Sequence, residues 1–192
     1  MSVSQSMERK KAMANIILIT GGAECGKSRW AATYFSSCNN VLYMRVQPEM
    51  NKETAERIRW NCEKNCVEWD IRTSFSILDE GIKDHEYFIF DNIASYTSKM
   101  MSELCPDAEH MDDDMKHKIR KKIIDDLSEL IMKVKEADGN MIIITVETVF
   151  SIISENKIQA AFREILGAVN QRIANMCSDV YMSASGIQFR IK

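Results

Sequence analysis

Short runs of apolar and β-branched residues recur along the chain, each bounded by turn residues or by a change of pattern. Runs of about four to eight such residues are typical of buried β-strands. The clearest run, 141–146, follows the turn Asp138-Gly139-Asn140. The pattern predicts strands at 15–20, 41–44, 67–71, 86–91 and 141–146, and a hairpin of strands 180–183 and 187–191 around Ser185-Gly186.

Segments with apolar residues at helical spacing separate most of these strands. In the segment 116–135, for example, Ile119, Ile123 and Leu127 fall on one helix face. The pattern predicts helices at 27–35, 51–62, 116–135 and 156–176, and the acidic stretch 107–114 is a loop or a helix start. Alternating strands and helices predict an α/β fold, in which helices flank both faces of a mostly parallel sheet and a hairpin closes the chain.

The length of 192 residues suits a single domain. We assign that domain to residues 14–192 and interpret the polar, basic residues 1–13 as a disordered extension. The apolar run 16–19 is too short for a signal sequence or a membrane span, so no membrane partner is expected. A net charge of −3 gives no electrostatic reason to expect nucleic acid. Six cysteines spread through a chain without a secretory leader predict reduced thiols and a cytoplasmic location.

The first predicted strand runs into a glycine-rich loop that a predicted helix follows. The loop sequence, G-G-A-E-C-G-K-S, matches the P-loop pattern G-x-x-x-x-G-K-[ST] in full. In such a loop the backbone N–H groups and the helix N-terminus face the phosphates of a nucleotide. We expect Lys27 to reach the β- and γ-phosphates and the Ser28 hydroxyl to ligate Mg²⁺. The predicted nucleotide-binding residues are Gly21, Gly22, Ala23, Glu24, Cys25, Gly26, Lys27 and Ser28.

This loop predicts a P-loop NTPase-like fold that binds ATP or GTP, since no base-reading motif separates the two. The alternative is an accidental glycine-rich turn, which the complete pattern in its strand–helix context disfavours.

P-loop sites usually include a second acid at the tip of a neighbouring strand, where it holds Mg²⁺ through water. Asp91 ends the predicted strand 86–91 and is the candidate for that role. The alternative is that Asp91 is the N-cap of a helix that starts near Asn92, because Asp is favoured at such positions. We favour the metal role because ligand sites of α/β proteins lie at strand tips. Lys27 and Asp91 are therefore the candidate catalytic residues, and Ser28 and Asp91 the candidate metal ligands.

Further blocks of sequence resemble the bifunctional adenosylcobinamide kinase / adenosylcobinamide-phosphate guanylyltransferases of cobalamin biosynthesis. The blocks follow the family's order over residues 15–192 and include Asn170-Gln171-Arg172 and Ser185-Gly186-Ile187, which are more specific than a P-loop alone. The sequence blocks that carry the resemblance are residues 19–29, residues 41–44 with 53–58 and Trp69, residues 155–165, and residues 167–174 with 185–187.

The resemblance implies two reactions. In the first, a nucleoside triphosphate phosphorylates the aminopropanol hydroxyl of adenosylcobinamide, a corrinoid. In the second, GMP is transferred to that phosphate through a histidine that becomes covalently guanylylated. Members of the family are oligomeric, so the resemblance also makes a homo-oligomer possible.

The guanylyl-transfer half of the family pattern is eroded in this chain. In the family, the guanylylated histidine follows an Arg-Ile pair, which corresponds to Arg57-Ile58 in this chain. Asn61 stands at the position of that histidine. An Arg-Pro pair further on is replaced by Asn65-Cys66. A carboxamide nitrogen is a poor nucleophile because its lone pair is delocalised into the carbonyl. We therefore expect a kinase that has lost ordinary guanylyl transfer; the alternatives are a non-catalytic nucleotide-binding relative and a small-molecule kinase with another substrate.

Other reactive side chains carry weaker signals. His110 and His117 are flanked by acidic residues, which is typical of a solvated surface. Cys62 and Cys66 share a helix-like stretch without a second ligand pair, which argues against a zinc site. Trp60 and Trp69, like Cys25 in the loop, are interpreted as packing residues.

Overall fold

The computed structural model describes residues 14–46, 52–73, 81–107, 110–148 and 156–192. Its strands are β1 (Ile16–Gly21), β2 (Val41–Arg45), β3 (Trp69–Arg72), β4 (Tyr87–Asp91), β5 (Asn140–Ile144), β6 (Asp179–Ala184) and β7 (Ile187–Arg190). Its helices are α1 (Lys27–Tyr34), α2 (Lys52–Asn65), α3 (Ile93–Leu104), α4 (Asp113–Glu136) and α5 (Lys157–Met176), with a short 3-10 helix at Ile82–Asp84.

The strands form one seven-stranded sheet in the order β3-β2-β4-β5-β1-β6-β7. All neighbouring pairs are parallel except β6–β7, which is the antiparallel C-terminal hairpin. In a parallel sheet the carboxyl ends of the strands meet at one edge, where α/β proteins bind ligands. The predicted α/β fold, with its mostly parallel sheet, flanking helices and terminal hairpin, is confirmed.

Two apolar layers cover the faces of the sheet. Alternate residues of β1 divide between them, with Ile16 and Leu18 in one layer and Ile17 and Ile19 in the other. The larger layer lies under α3, α4 and α5, and the smaller one under α1 and α2. Each buried aliphatic side chain contributes about 1.5–3 kcal/mol, so the central strands anchor the loops at their carboxyl ends.

Helix α3 is absent from the elements that the apolar pattern predicts. Its buried residues are Ile93, Tyr96, Thr97, Met100 and Met101, and they do fall at helical spacing. The polar groups of Tyr96 and Thr97 occupy positions on the buried face, which weakens the apolar signal. Helix α4 begins at Asp113 inside the acidic stretch 107–114, which is therefore in part a helix start.

The predicted disordered extension 1–13 lies outside the described residues. Among the helices of the described segments, none combines the length and apolarity needed to cross a membrane.

Candidate nucleotide site

The loop between β1 and α1 is shaped by two glycines with positive φ. Gly21 has φ +144°, and a Cβ atom there would lie 2.2 Å from the Ser183 carbonyl oxygen. Gly26 has φ +93° and is the N-cap of α1. Side chains are excluded from the first position by contact and disfavoured at both by conformation. The backbone can therefore turn back on itself, as a phosphate-binding loop requires.

The C-terminal hairpin braces this loop from the side. The Ser183 hydroxyl donates a 2.7 Å hydrogen bond to the Cys25 carbonyl, and the Gly186 N–H donates to the same oxygen at 3.2 Å. The Arg29 guanidinium packs close to Gly26 and Gly186. The hairpin turn thus forms part of the site, which the sequence pattern alone did not indicate.

Lys27 is buried, and its ammonium group lies inside the loop. Nζ donates to the Gly21 carbonyl at 3.1 Å and to the Gly22 carbonyl, and it lies 3.5 Å from the Cys25 sulfur. The cation is therefore held at the centre of the loop, beside the backbone groups that a phosphate would meet.

Asp91 and Ser28 both lie beside a buried tyrosine, Tyr43. The Tyr43 hydroxyl donates a 2.7 Å hydrogen bond to Asp91 Oδ2, and the Ser28 side chain lies beside the tyrosine hydroxyl. Burial, and then the adjacent Asp91 carboxylate, raise the pKa of Tyr43 well above its ordinary value. Tyr43 consequently stays neutral and holds the Asp91 carboxylate by this hydrogen bond. The strand alternation of β2 places residue 43 on the face of Asp91, but the contact spans 48 residues and no local pattern reveals it.

The alternative role of Asp91 as a helix cap is wrong. The N-cap of α3 is Asn92, whose Oδ1 accepts a 2.8 Å hydrogen bond from the Ser95 N–H. The Asn92 amide also donates to Asp91 Oδ1 at 3.3 Å. Asp91 is thus the last residue of β4, held from both sides, and its metal role stays a prediction.

The residues around Tyr43 fit a magnesium ion. Ser28 and Asp91 supply a hydroxyl and a carboxylate oxygen, the hard ligands that Mg²⁺ prefers. Within the described segments, no three histidine, cysteine or acidic side chains are grouped so that they could hold a metal ion by themselves. Mg²⁺ is commonly held by one or two protein groups together with substrate phosphates, which this pair of residues matches.

A cleft of about 640 Å³ opens beside the loop. Helix α2 contributes Glu53, Thr54 and Arg57 to its lining, and Asn92, the end of β5 and the turn Ser185–Gly186 line it as well. This volume lies in the range of sites for nucleotides and drug-sized ligands.

The segment that follows β5 is tied to the cleft by α5. The Thr145 hydroxyl donates a 2.7 Å hydrogen bond to Asn170 Oδ1, and the Asn170 amide donates to the Val146 carbonyl at 3.0 Å. Since Val146 lines the cleft, Asn170 of the Asn-Gln-Arg block holds a wall of the site in place.

Asn61 does not face the cleft. Its side chain is buried, and its amide donates to the Ala32 carbonyl of α1 at 3.3 Å. Closer to the start of α2, the residues Glu53, Thr54 and Arg57 line the cleft. That Asn61 stands at the position of the family's guanylylated histidine stays a prediction.

The other candidate side chains lie away from the loop. The His110 ring contacts Asp107, and the His117 ring contacts Arg120, both at exposed positions. The cleft-lining residues among the described part of the chain include no histidine. Trp69 stacks on Tyr43 with ring centroids 6.5 Å apart, as a packing residue should, whereas Trp60 is 55% exposed.

Comparison with known proteins identifies the family of the chain. The sequence model of the CobU family, described as cobinamide kinase / cobinamide phosphate guanyltransferase, matches residues 17–191. The bifunctional adenosylcobalamin biosynthesis protein CobU of Escherichia coli (strain K12) is 26% identical over 182 residues, which are 92% of this chain and 99% of that protein. The protein of the same name from Salmonella typhimurium is 27% identical over 182 residues, with the same coverage. An ATPase from the type III secretion system of pathogenic bacteria shares the fold at a TM-score of 0.54 and 11% identity, covering 88% of this chain and 50% of that one.

Proposed function

We propose that this chain is a kinase for adenosylcobinamide. It belongs to the CobU family of cobinamide kinases / cobinamide phosphate guanyltransferases. In the proposed reaction, ATP or GTP gives its γ-phosphoryl group to the aminopropanol hydroxyl of that corrinoid. The hydroxyl oxygen forms a bond to the γ-phosphorus, the bond from that phosphorus to the β-phosphate oxygen breaks, and the hydroxyl proton passes to water.

The observation that carries the proposal is the phosphate loop with its buried cation. Lys27 Nζ lies among the loop carbonyls, and the N-terminus of α1 begins at Gly26. A helix N-terminus and a fixed ammonium both favour negative charge at this point. Such charge develops on the transferred phosphoryl group and on the leaving diphosphate.

The chain's own residues divide the work between binding and orientation. Lys27 would bind the β- and γ-phosphates, and the loop N–H groups would fix the rest of the phosphate chain. Tyr43 would hold the Asp91 carboxylate in one orientation, because its hydroxyl donates to Oδ2 at 2.7 Å. Ser28 and Asp91 would hold Mg²⁺, which when bound supplies positive charge to the phosphate oxygens.

We further propose that transfer of GMP through a histidine does not occur in this chain. The chain has three histidines, and none of those within the described residues lines the cleft. His85 bonds the Gly81 carbonyl through Nδ1 at 2.8 Å, and His110 and His117 lie at exposed positions. A phosphoramidate intermediate needs an imidazole next to the α-phosphate, which these placements do not provide.

The test is product analysis by mass spectrometry. The protein is incubated with Mg²⁺, adenosylcobinamide and either ATP or GTP, and the corrinoid is examined for the gain of one phosphoryl group. A phosphorylated corrinoid with at least one nucleotide is the expected result. Tight nucleotide binding with an unchanged corrinoid would contradict the proposal and would favour a non-catalytic relative or another acceptor.

A further inference from the structure

The outward face of α2 continues the nucleotide cleft. A second groove of about 340 Å³ is lined by Glu53, Glu56, Arg57 and Trp60. Glu53 and Arg57 also line the main cleft, so the two spaces share a wall. Any ligand that enters the cleft along α2 therefore passes Trp60.

Trp60 does not pack in the hydrophobic core. Its side chain is 55% exposed, and the buried positions of α2 are Ile58 and Asn61, on the side that faces α1. Its ring is in contact with Lys64 of the same helix, whose ammonium lies 4.6 Å from the ring centroid. Trp69 shows the contrast, since it stacks on Tyr43 and donates from Nε1 to the Cys38 carbonyl at 3.1 Å. An exposed indole at the rim of a cleft is a ready surface for a flat, apolar ligand.

Arg57 presents unused donors at the junction of the two spaces. Its closest acid is Glu53, at 3.8 Å, which is too long for a good hydrogen bond. Its Nε is buried and has no hydrogen-bond acceptor among the residues that the structure describes. A guanidinium in this situation suits a phosphate, which can accept two parallel hydrogen bonds from it.

The two side chains are close enough to serve one ligand. They are three positions apart on a helix, which corresponds to an axial rise of about 4.5 Å at 1.5 Å per residue. They also lie on the same side, because residues spaced by three are neighbours on a helix surface.

We infer that Arg57 and Trp60 form the acceptor subsite of this protein. The inference rests on the proposed kinase function and names where its substrate binds. The planar macrocycle of the corrinoid packs against the indole of Trp60. The end that carries the hydroxyl lies at Arg57 and points to the phosphate loop, and after transfer the new phosphate is bound by the guanidinium.

The experiment measures corrinoid binding directly by equilibrium dialysis, using adenosylcobinamide and its phosphate with wild-type protein and four variants. Trp60→Ala is expected to weaken adenosylcobinamide binding about tenfold through the loss of stacking and apolar contact, and Trp60→Phe by about two- to threefold. Arg57→Gln is expected to weaken binding of the phosphate about tenfold or more and to change binding of the alcohol much less. Met132→Ala is the matched control, because Met132 is 57% exposed on α4 and lines neither groove.

Nucleotide affinity, followed with a fluorescent ATP or GTP analogue, should be unchanged in both Trp60 variants. If wild type phosphorylates adenosylcobinamide and Trp60→Ala binds it as tightly as wild type, the subsite is wrong and the kinase function stands. If wild type binds Mg²⁺–nucleotide but no corrinoid, the kinase function fails and the subsite fails with it. An equal loss of affinity for the alcohol and its phosphate in Arg57→Gln would remove Arg57 from the phosphate role.

Discussion

Replacing Tyr43 by Phe tests whether the tyrosine positions the proposed metal ligand. The change removes the hydroxyl that donates to Asp91 Oδ2 at 2.7 Å and that contacts Ser28, and it leaves the buried ring in place. A hydrogen bond to a charged group contributes about 1.5–3 kcal/mol, and Asn92 still donates to the other carboxylate oxygen at 3.3 Å. We therefore expect the free energy of unfolding to fall by about 1–2 kcal/mol. We also expect the gain in nucleotide affinity on adding Mg²⁺ to fall about tenfold, while affinity measured in EDTA stays the same.

A control for this variant is Tyr96→Phe. The Tyr96 hydroxyl donates to Asp126 Oδ2 at 2.8 Å on the far side of the sheet, so the same chemistry is removed away from the loop. Urea unfolding should show a similar loss of stability in both variants, and only Tyr43→Phe should change the magnesium response. Equal magnesium responses in wild type and Tyr43→Phe would refute the positioning role.

The pH dependence of Tyr43 has a definite sign. Burial, and then the Asp91 charge, raise its pKa in the folded protein above the ordinary tyrosine value of about 10. Its contribution to stability is therefore complete below about pH 10 and is lost as the pH rises further, because the unfolded chain releases the proton first. Wild type should thus lose more stability above pH 10 than Tyr43→Phe does, measured by urea unfolding at each pH.

The same geometry leads to three further expected results. Asp91→Asn should lower turnover about a hundredfold and nucleotide affinity much less, since the metal matters most as charge develops; full activity per folded molecule would contradict this. Gly21→Ala should destabilise the protein by about 3 kcal/mol or more in urea unfolding, because its Cβ would meet the Ser183 carbonyl oxygen at 2.2 Å, whereas Gly22→Ala, with no atom within 4 Å, should cost little. Incubation with Mg²⁺ and α-labelled GTP should leave no acid-labile label on the protein, and stoichiometric labelling would show that a histidine reaches the nucleotide after all.

The phosphate loop could be predicted because its residues are contiguous in the sequence. The loop 21–28 combines its glycines, its lysine and its strand–helix context within a few residues, so its place and shape follow from local rules. The place of Asp91 at a strand tip could be predicted for a similar reason, since an acidic residue at the end of an apolar run indicates the end of a buried strand.

The parts that sequence reasoning missed depend on distant pairs. Tyr43 meets Asp91 across 48 residues, and Ser183 meets Cys25 across 158 residues. Only the order of strands in the sheet brings these partners together, and that order is not encoded in any local pattern. The place of Asn61 could not be predicted for another reason. Arg57 and Asn61 are four residues apart and lie on one side of α2, so the position of the cleft along the helix decides that Arg57 lines it while Asn61 packs on α1.

The most direct test of the kinase assignment is transfer of label from γ-labelled nucleotide to adenosylcobinamide by wild type and by Lys27→Ala. Both proteins should show the same urea midpoint, so that the comparison concerns folded molecules. We expect Mg²⁺-dependent labelling of the corrinoid by wild type and a loss of at least about a hundredfold in the variant, because the fixed ammonium at the phosphates is gone. Labelling that is equal in the two proteins, or no labelling by wild type with either ATP or GTP, would contradict it.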